Sequence, residues 1–475
     1  MDNSNEINLE RFLQIEADDE ILSEVVEDLN IPAWLYIRTI FFRMAFSDFF
    51  FSEQISSPSG SFSKTRKIKT LLKAAGHNFS RNKNKSEIAL MVSGWGSIKK
   101  DGKNFDRLGG YFADCFPDQS LIISELGNWN LTKKNSFNNT YYSSPKEICF
   151  NLSSKLIMRK VHIHKAEKIV KNVIRRSKKY VNWIPNKDQE IFLINFLARK
   201  IAIAPFITDS YSKFFMQNSF KILLKEDGCF GHSANIIVGA KQAGLITAEF
   251  QHGVISKGHD GYNFASNLIK NSNFNNAMPS VFLSYGKWWH GQTNIPSKKI
   301  IIGNPHRDSH LDMANSKNDD KTILVLGDGI DTKKTLDLCQ KIVNTSSELG
   351  YKLVFRPHPF EKEGLKISDL PKRCELDENS NIYNSFHSAD FLVSEISTGL
   401  FEAVGLVKNI FVWKTNKSKF AFPEIPFLSF TSAKELMDMI ADSSYSNNHN
   451  SIPADELWSD DWENNYRTFI ENHLK

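Results

Sequence analysis

Short apolar runs that each end in a polar, chemically capable motif recur along this chain, and they restrict its fold more than any other feature. Ala243-Gly244-Leu245-Ile246-Thr247-Ala248 leads into Phe250-Gln251-His252-Gly253-Val254. Lys352-Leu353-Val354-Phe355 leads into Arg356-Pro357-His358-Pro359, and Phe391-Leu392-Val393 into Ser394-Glu395-Ile396-Ser397-Thr398-Gly399. Aliphatic and β-branched runs bounded by Gly, Pro or Ser read as buried strands. Polar groups just past the carboxyl ends of such strands are where open α/β sheets keep their ligands. Three of them imply one cleft.

Further strands are expected over residues 87–93, ending in Gly94-Trp95-Gly96, and over 120–124, with helices between strands through residue 285. A fresh series starts at Thr322-Ile323-Leu324-Val325-Leu326-Gly327-Asp328-Gly329. It continues with a helix over 332–348, strands over 351–356 and 390–394, a helix over 398–406 and a strand over 409–413. Strand–helix alternation of this kind makes parallel sheets with crossover helices. The 475 residues exceed one ordinary core, and the polar stretch Asn315-Ser316-Lys317-Asn318-Asp319-Asp320 reads as a linker. The expectation is an α/β chain with two Rossmann-like domains facing a central cleft, residues 86–305 and 321–455. A helical N-terminal extension over 1–85 precedes them and a C-terminal helix over 456–475 follows. Within the extension, 8–55 reads as helical, with Pro32 near the start of a helix running to Arg43, and 56–61 as a loop.

No stretch reaches the ~20 apolar residues of a membrane span, and Met1-Asp2-Asn3-Ser4-Asn5-Glu6 lacks the order of a signal peptide, so a cytoplasmic protein is expected. Five scattered cysteines without a CxxC pair argue against a disulfide framework or a structural zinc. The net charge of +5 is unevenly spread. Lys64, Arg66, Lys67, Lys69, Lys73, Arg81, Lys83 and Lys85 form one basic segment, and a probable helix from Lys155 to Lys179 carries another. In the second, Leu156, Ile157, Val161, Ile169, Val170 and Val173 give an apolar face at helical spacing, so the Lys/Arg face reads as solvated. The alternative is contact with anionic lipid headgroups at the cytoplasmic membrane face or with a lipid-linked acceptor. No nucleic-acid module is evident.

Several residues suit phosphate and proton chemistry. Arg356 and His358, two apart on an extended strand, would share a side and could hold one phosphate; alternatively Arg356 pairs with Glu361 or Asp390. Ser397, Thr398 and Gly399 precede a probable helix and form either an anion site or a plain N-cap. Gly327-Asp328-Gly329 allows close backbone approach but lacks GxGxxG spacing, which disfavours a dinucleotide site. His162 and His164 point to different faces of a helix, so no metal site is indicated.

Gln251-His252-Gly253 with His259 and Tyr262, then Tyr285-Gly286, Gly303-Asn304-Pro305, His358-Pro359 and Ser397-Thr398-Gly399-Leu400-Phe401-Glu402-Ala403, resemble bacterial surface-polysaccharide glycosyltransferases of the GT-B fold. Capsule and O-antigen proteins and bacterial sialyltransferases are the most similar. Their acidic-pair-Gly, His-Pro and Ser-Thr order occurs here as Glu226-Asp227-Gly228, His358-Pro359 and Ser397-Thr398. The resemblance implies an inverting, metal-independent transferase using a CMP-linked acidic sugar, sialic-acid-like or Kdo, as co-substrate, with no other cofactor. A growing or lipid-linked oligosaccharide would be the acceptor. It implies Asp227 as base, with Glu226 beside it, while a looser likeness to CDP-glycerol phosphotransferases puts the base at His252. Donor-binding residues would be Gly327, Asp328, Gly329, Arg356, His358, Pro359, Ser397, Thr398, Gly399 and, on the ribose, Glu402. Gln251, Gly253, His259 and Tyr262 would line the acceptor side. A UDP-hexose or CDP-glycerol donor, or a non-catalytic subunit of a capsule assembly complex, are the alternatives.

Overall fold

A computed structural model describes residues 7–50, 63–81, 85–100, 102–127, 129, 131, 139–311, 321–359, 361–362, 364–442 and 452–474. The loop expected at 56–61, Lys83 and the linker at 315–320 lie outside them.

The N-terminal unit starts with helices α1 (Leu9–Glu16) and α2 (Asp19–Ser23), capped by the side chains of Asn8 and Asp18. An antiparallel hairpin, β1 (Val25–Val26) with β2 (Ile31–Pro32), follows, turning through Asn30 at φ 53°. Helix α3 (Leu35–Phe50) completes it. The segment expected to be helical throughout thus contains a hairpin. Pro32 sits in a buried edge strand of the two-stranded hairpin, where its missing N–H breaks no ladder, instead of in a first helical turn.

The first domain runs through α4 (Lys64–Ser80), β3 (Ile88–Val92), the hairpin β4 (Ser97–Lys100) and β5 (Lys103–Asp106), α5 (Gly109–Cys115), β6 (Ser120–Ser124) and β7 (Thr140–Tyr142). It continues with α6 (Ser144–Ile157), α7 (Lys160–Val181), α8 (Lys187–Gln217), β8 (Ile222–Lys225), α9 (Ala234–Gln242) and β9 (Ile246–Phe250). Short helices α10 (Ser266–Lys270) and α11 (Ser272–Ala277), strands β10 (Val281–Ser284) and β11 (Lys298–Ile301), and α12 (Pro305–Asp308) end it. Seven strands pair in parallel in the order β11-β10-β9-β8-β3-β6-β7.

The second domain comprises β12 (Thr322–Leu326), α13 (Thr332–Glu348), β13 (Lys352–Arg356), β14 (Cys374–Leu376), α14 (Ile382–His387) and β15 (Phe391–Ser394). Then come α15 (Thr398–Glu402), β16 (Asn409–Trp413), α16 (Asn416–Ala421), β17 (Leu428–Phe430) and α17 (Ala433–Ala441). Its six parallel strands run β14-β13-β12-β15-β16-β17, the doubly wound order with its reversal between β12 and β15. The first sheet reverses likewise between β3 and β8. Two Rossmann-like domains facing one another give the GT-B architecture.

Beyond α17 the chain crosses back. The short helix α18 (Ala454–Leu457) meets the first domain, where Trp289 Nε1 donates to the Leu457 carbonyl at 2.8 Å. Helix α19 (Trp462–Leu474) then buries Tyr466, Phe469 and Ile470 in the core formed by β3, β8 and α5, with the Phe112 and Tyr466 rings 4.6 Å apart.

The basic segment differs from expectation. Its helix breaks at Met158–Arg159 into α6 and α7, and Leu156 and Val161, expected on the apolar face, are 88% and 64% exposed. Ile169, Val170 and Val173 are buried, against α1 and α8. Helix α8 is long and apolar enough to cross a membrane, yet its Leu193, Leu197, Ile201, Tyr211 and Phe215 are core residues.

The N-terminal unit is no appendage. Arg38 on α3 donates from Nε and Nη2 to Glu16 Oε2 and Oε1 at 2.6 and 2.9 Å, and both residues are nearly fully buried. Trp34 and the backbone of Ala265 complete the glutamate's shell, while Arg38 also donates to the carbonyls of Asp260 and Asn263. Phe12 and Phe46 meanwhile pack on Phe420 of the second domain, the latter pair with ring centres 4.5 Å apart. Removing one partner of a buried pair strands the other charge. Arg38→Met is expected to lower stability by about 3–5 kcal/mol, read from the urea midpoint. A loss below about 1 kcal/mol would be that of a solvated pair and would contradict the burial.

Candidate active site

The loops after β3, β8 and β9 meet at the reversal of the first sheet. Glu226, just past β8, accepts from the Ser93 N–H and hydroxyl at 2.6 and 3.0 Å and so stitches the β3 loop to the β8 loop. Its neighbour Asp227 takes a left-handed φ of 57°, a conformation that Asp, like Asn, tolerates better than most side chains, and its carboxylate faces the β9 loop. There His252 Nε2 lies 3.2 Å from Asp227 Oδ1.

The other imidazole nitrogen is held as firmly. Tyr262 donates its hydroxyl to Glu249 Oε1 at 2.5 Å, and the phenol oxygen lies 3.2 Å from His252 Nδ1. With that hydroxyl proton committed, the oxygen is left to accept Nδ1–H, and Nε2 faces the Asp227 carboxylate, which accepts from it whenever Nε2 carries a proton. Glu249 is fully buried and accepts from the Cys229 N–H at 2.6 Å. Burial pushes its carboxyl up to about 7, against the opposing pull of His252 and its hydrogen bonds. Burial also disfavours ionised Asp227, but His252, His232, Lys225 and Arg43 outweigh it and hold that carboxyl below its ordinary range. Arg43 arrives from α3, exposed, its guanidinium 5.8 Å from the Phe230 ring centre. His259 is pushed down to about 4 by burial; its Nδ1 accepts the Gly261 N–H, leaving the proton on Nε2.

Opposite stands the reversal of the second sheet. Beside it Glu361 binds the β12 and β13 loops together, accepting from Gly329 N–H, Thr332 Oγ1 and His358 N–H at 3.2, 2.8 and 2.6 Å. Gly329, at φ 77°, lies so close to His358 that a Cβ would fall 2.6 Å from Nδ1. Burial lowers the His358 pKa, so it meets a ligand as neutral imidazole. Thr398 reaches across, its Oγ1 accepting from Val254 N–H at 3.4 Å, while Ser397 Oγ caps Gly399 N–H. Between the domains, Arg107 from the β5 loop carries charge coupled to Glu402, Tyr285, Tyr383 and His358. Burial raises the Glu402 pKa, with Arg107 and Arg307 opposing.

The site therefore gathers Asp227, His252, Gly253, His259 and Tyr262 on one wall and Gly329, His358, Ser397, Thr398 and Glu402 on the other. Four expectations are corrected. Glu226 is spent on Ser93. Gln251 braces the β9 and β10 ends, through Tyr285 N–H and the Gly253 carbonyl, and is 2% exposed. Arg356 is paired with Asp377 at 2.6 Å and with Ser385 and the Asn379 carbonyl, because β13 ends at Arg356 and Pro357 breaks the same-side spacing. Asp328 is buried against Lys417, in a network that Lys417 extends to Glu395. Gly327, whose Cβ would overlap Glu361, and Gly399, packed on Leu326, serve loop geometry, while Pro359 is exposed beside His358. Glu249, Arg43 and Arg107 were not singled out from the sequence, and Glu361 was named only, with Asp390, as a partner for Arg356, which pairs with Asp377 instead. Only Glu249 carried a signal, a charge inside an otherwise apolar strand.

No family model matches this chain, and no curated protein matches it in sequence. Solved structures match its chain path at low identity. Methanocaldococcus jannaschii UDP-GlcNAc 2-epimerase in complex with UDP-GlcNAc and UDP is 11% identical, with TM-score 0.44, covering 81% of this chain and 99% of that one. The wall teichoic acid polymerase TagF is 12% identical, with TM-score 0.44, covering 87% and 100%. An S. aureus MnaA–UDP structure is 12% identical, with TM-score 0.45, covering 82% and 96%.

Because the native value of Glu249 lies above its ordinary 4.5, its proton stabilises the fold fully below pH 4.5, and that contribution is lost as pH rises through about 7. Glu249→Gln is expected to flatten the pH dependence of the melting temperature across this window. An unchanged slope would mean that Glu249 is ionised throughout.

Proposed function

We propose that this protein is an inverting transferase that moves a group from a nucleotide-activated donor onto an acceptor hydroxyl of a bacterial surface-polysaccharide precursor. One observation carries the reading. His252 is clamped between Asp227 and the Tyr262–Glu249 pair, with its loop touching Thr398 across the cleft. An acceptor hydroxyl that takes the place of Asp227 Oδ1 at the Nε2 of neutral His252 gives its proton to that nitrogen as its oxygen bonds to the donor carbon; Asp227, still beside the ring, stabilises the resulting imidazolium. The bond from that carbon to the nucleotide phosphate breaks, and the electron pair leaves with the phosphate. His358 donates a hydrogen bond to the departing phosphate, Arg107 offsets its charge, and Glu402 is placed for the ribose. The reaction so written uses no metal ion and no cofactor besides the donor.

A carboxylate already held below its ordinary range is a weak base, which supports His252 over Asp227 for proton removal. The acidic pair was also the reason to expect a CMP-linked acidic sugar, and Glu226 has a structural use. A histidine base therefore favours CDP-glycerol as the second donor reading, in which phosphorus replaces carbon as the atom attacked.

The test is nucleotide release from CMP-sialic acid, CMP-Kdo, CDP-glycerol and UDP-hexoses with acceptor extracts. His252→Ala is expected to cut kcat by 10²–10⁴-fold, the usual weight of a general base. Asp227→Asn is expected to retain more activity, with an altered pH profile, and His358→Ala to lose kcat more than KM. Release untouched by His252→Ala would overturn the assignment; no release from any donor would favour the non-catalytic subunit.

A further inference from the structure

Helix α4 lies at the β7 edge of the first sheet, far along it from the strands that carry His252. Asn78 fastens it there, exchanging hydrogen bonds with the Tyr142 backbone at 2.8 and 2.9 Å, and Thr70 and Ala74 are buried beneath it. Its opposite face is apolar and open to solvent. Ile68, Leu72 and Phe79 are 58%, 69% and 88% exposed. Their spacings of four and seven residues set them within one narrow stripe. Helix α6 packs beside α4 and shows the same feature at Leu152 and Leu156, continued by Val161 at the start of α7.

Cations surround both stripes. Lys64, Arg66, Lys69 and Lys73 on α4, and Lys155, Arg159 and Lys160 at the α6–α7 corner, are all exposed. Lys64–Ser80 contains no acidic residue, and Ser144–Val161 contains only Glu147. Large aliphatic and aromatic side chains standing in water on a common face are costly unless something covers them. A second copy of this chain would set one cation cluster against another. An anionic bilayer accepts both features at once, the apolar stripe entering the headgroup boundary and the lysines meeting the phosphates.

We infer that the α4 and α6–α7 surface docks the protein on a membrane rich in anionic lipid. Lys168, Lys171, Arg175, Lys178 and Lys179, farther along α7, are exposed as well, as the solvated reading expects. This docking is independent of the transfer chemistry.

Vesicle co-sedimentation tests it, with equimolar phosphatidylglycerol and phosphatidylcholine against phosphatidylcholine alone. Binding is expected only to the anionic vesicles, and to weaken steeply when salt is raised to about 0.5 M. Lys69→Glu with Lys73→Glu should cut partitioning by far more than the roughly fivefold worth of one cation. Ile68→Ser, Leu72→Ser and Phe79→Ser together should reduce it more than tenfold while circular dichroism and melting stay unchanged. Equal binding to both vesicle types, or unaltered binding by folded variants, would overturn the inference. So would a serine variant that turns a lipid-free dimer into a monomer, since the stripe would then bind a second copy.

Discussion

The buried Glu16–Arg38 pair makes the active site a product of three chain regions instead of two. Ion pairs sealed from water repay their desolvation only when every remaining donor and acceptor is met. Here Trp34, the Ala265 N–H and the Asp260 and Asn263 carbonyls meet them. Those last three lie on the segment that carries His259 and Tyr262. The first fifty residues thereby fix the loop that orients His252, and α3 brings Arg43 within electrostatic reach of Asp227.

Each half of the cleft is organised by a glutamate that accepts hydrogen bonds from two loops. Glu226 joins the β3 and β8 loops, and Glu361 joins the β12 and β13 loops. Glu226 stands where the strand order of the first sheet reverses, and Glu361 beside the corresponding point of the second, between β12 and its neighbour β13. Charge-assisted hydrogen bonds to backbone N–H groups are short and directional, which suits them to holding loops still. His252 and His358, one step further out and given the chemistry in the proposed reaction, have their ring positions set by those loops.

Much of this was legible in the sequence, because it depends on local pattern. Both sheets, the helix at 332–348 and the two histidine motifs follow from apolar runs and the residues that end them. The failures share one cause. Arg356 was placed beside His358 by assuming that a strand continues past its proline, and Pro32 was placed in a helix by its company of aromatic residues. The roles of Glu249, Arg107 and Glu361 arise from contacts between segments far apart in sequence, which no spacing rule reports. Glu226-Asp227 illustrates the limit best: the two neighbours look like one feature in sequence, yet one holds a loop and the other faces His252.

The return of α19 to the first domain has a consequence for how the protein is made. Tyr466, Phe469 and Ile470 complete the hydrophobic layer over β3, β8 and α5. Those strands leave the ribosome hundreds of residues before the helix that covers them. Domains ordinarily close in the order of their synthesis. In this chain the first domain's core is complete only once α19 has been made, so its sheet stays half-covered while the whole second domain is being built.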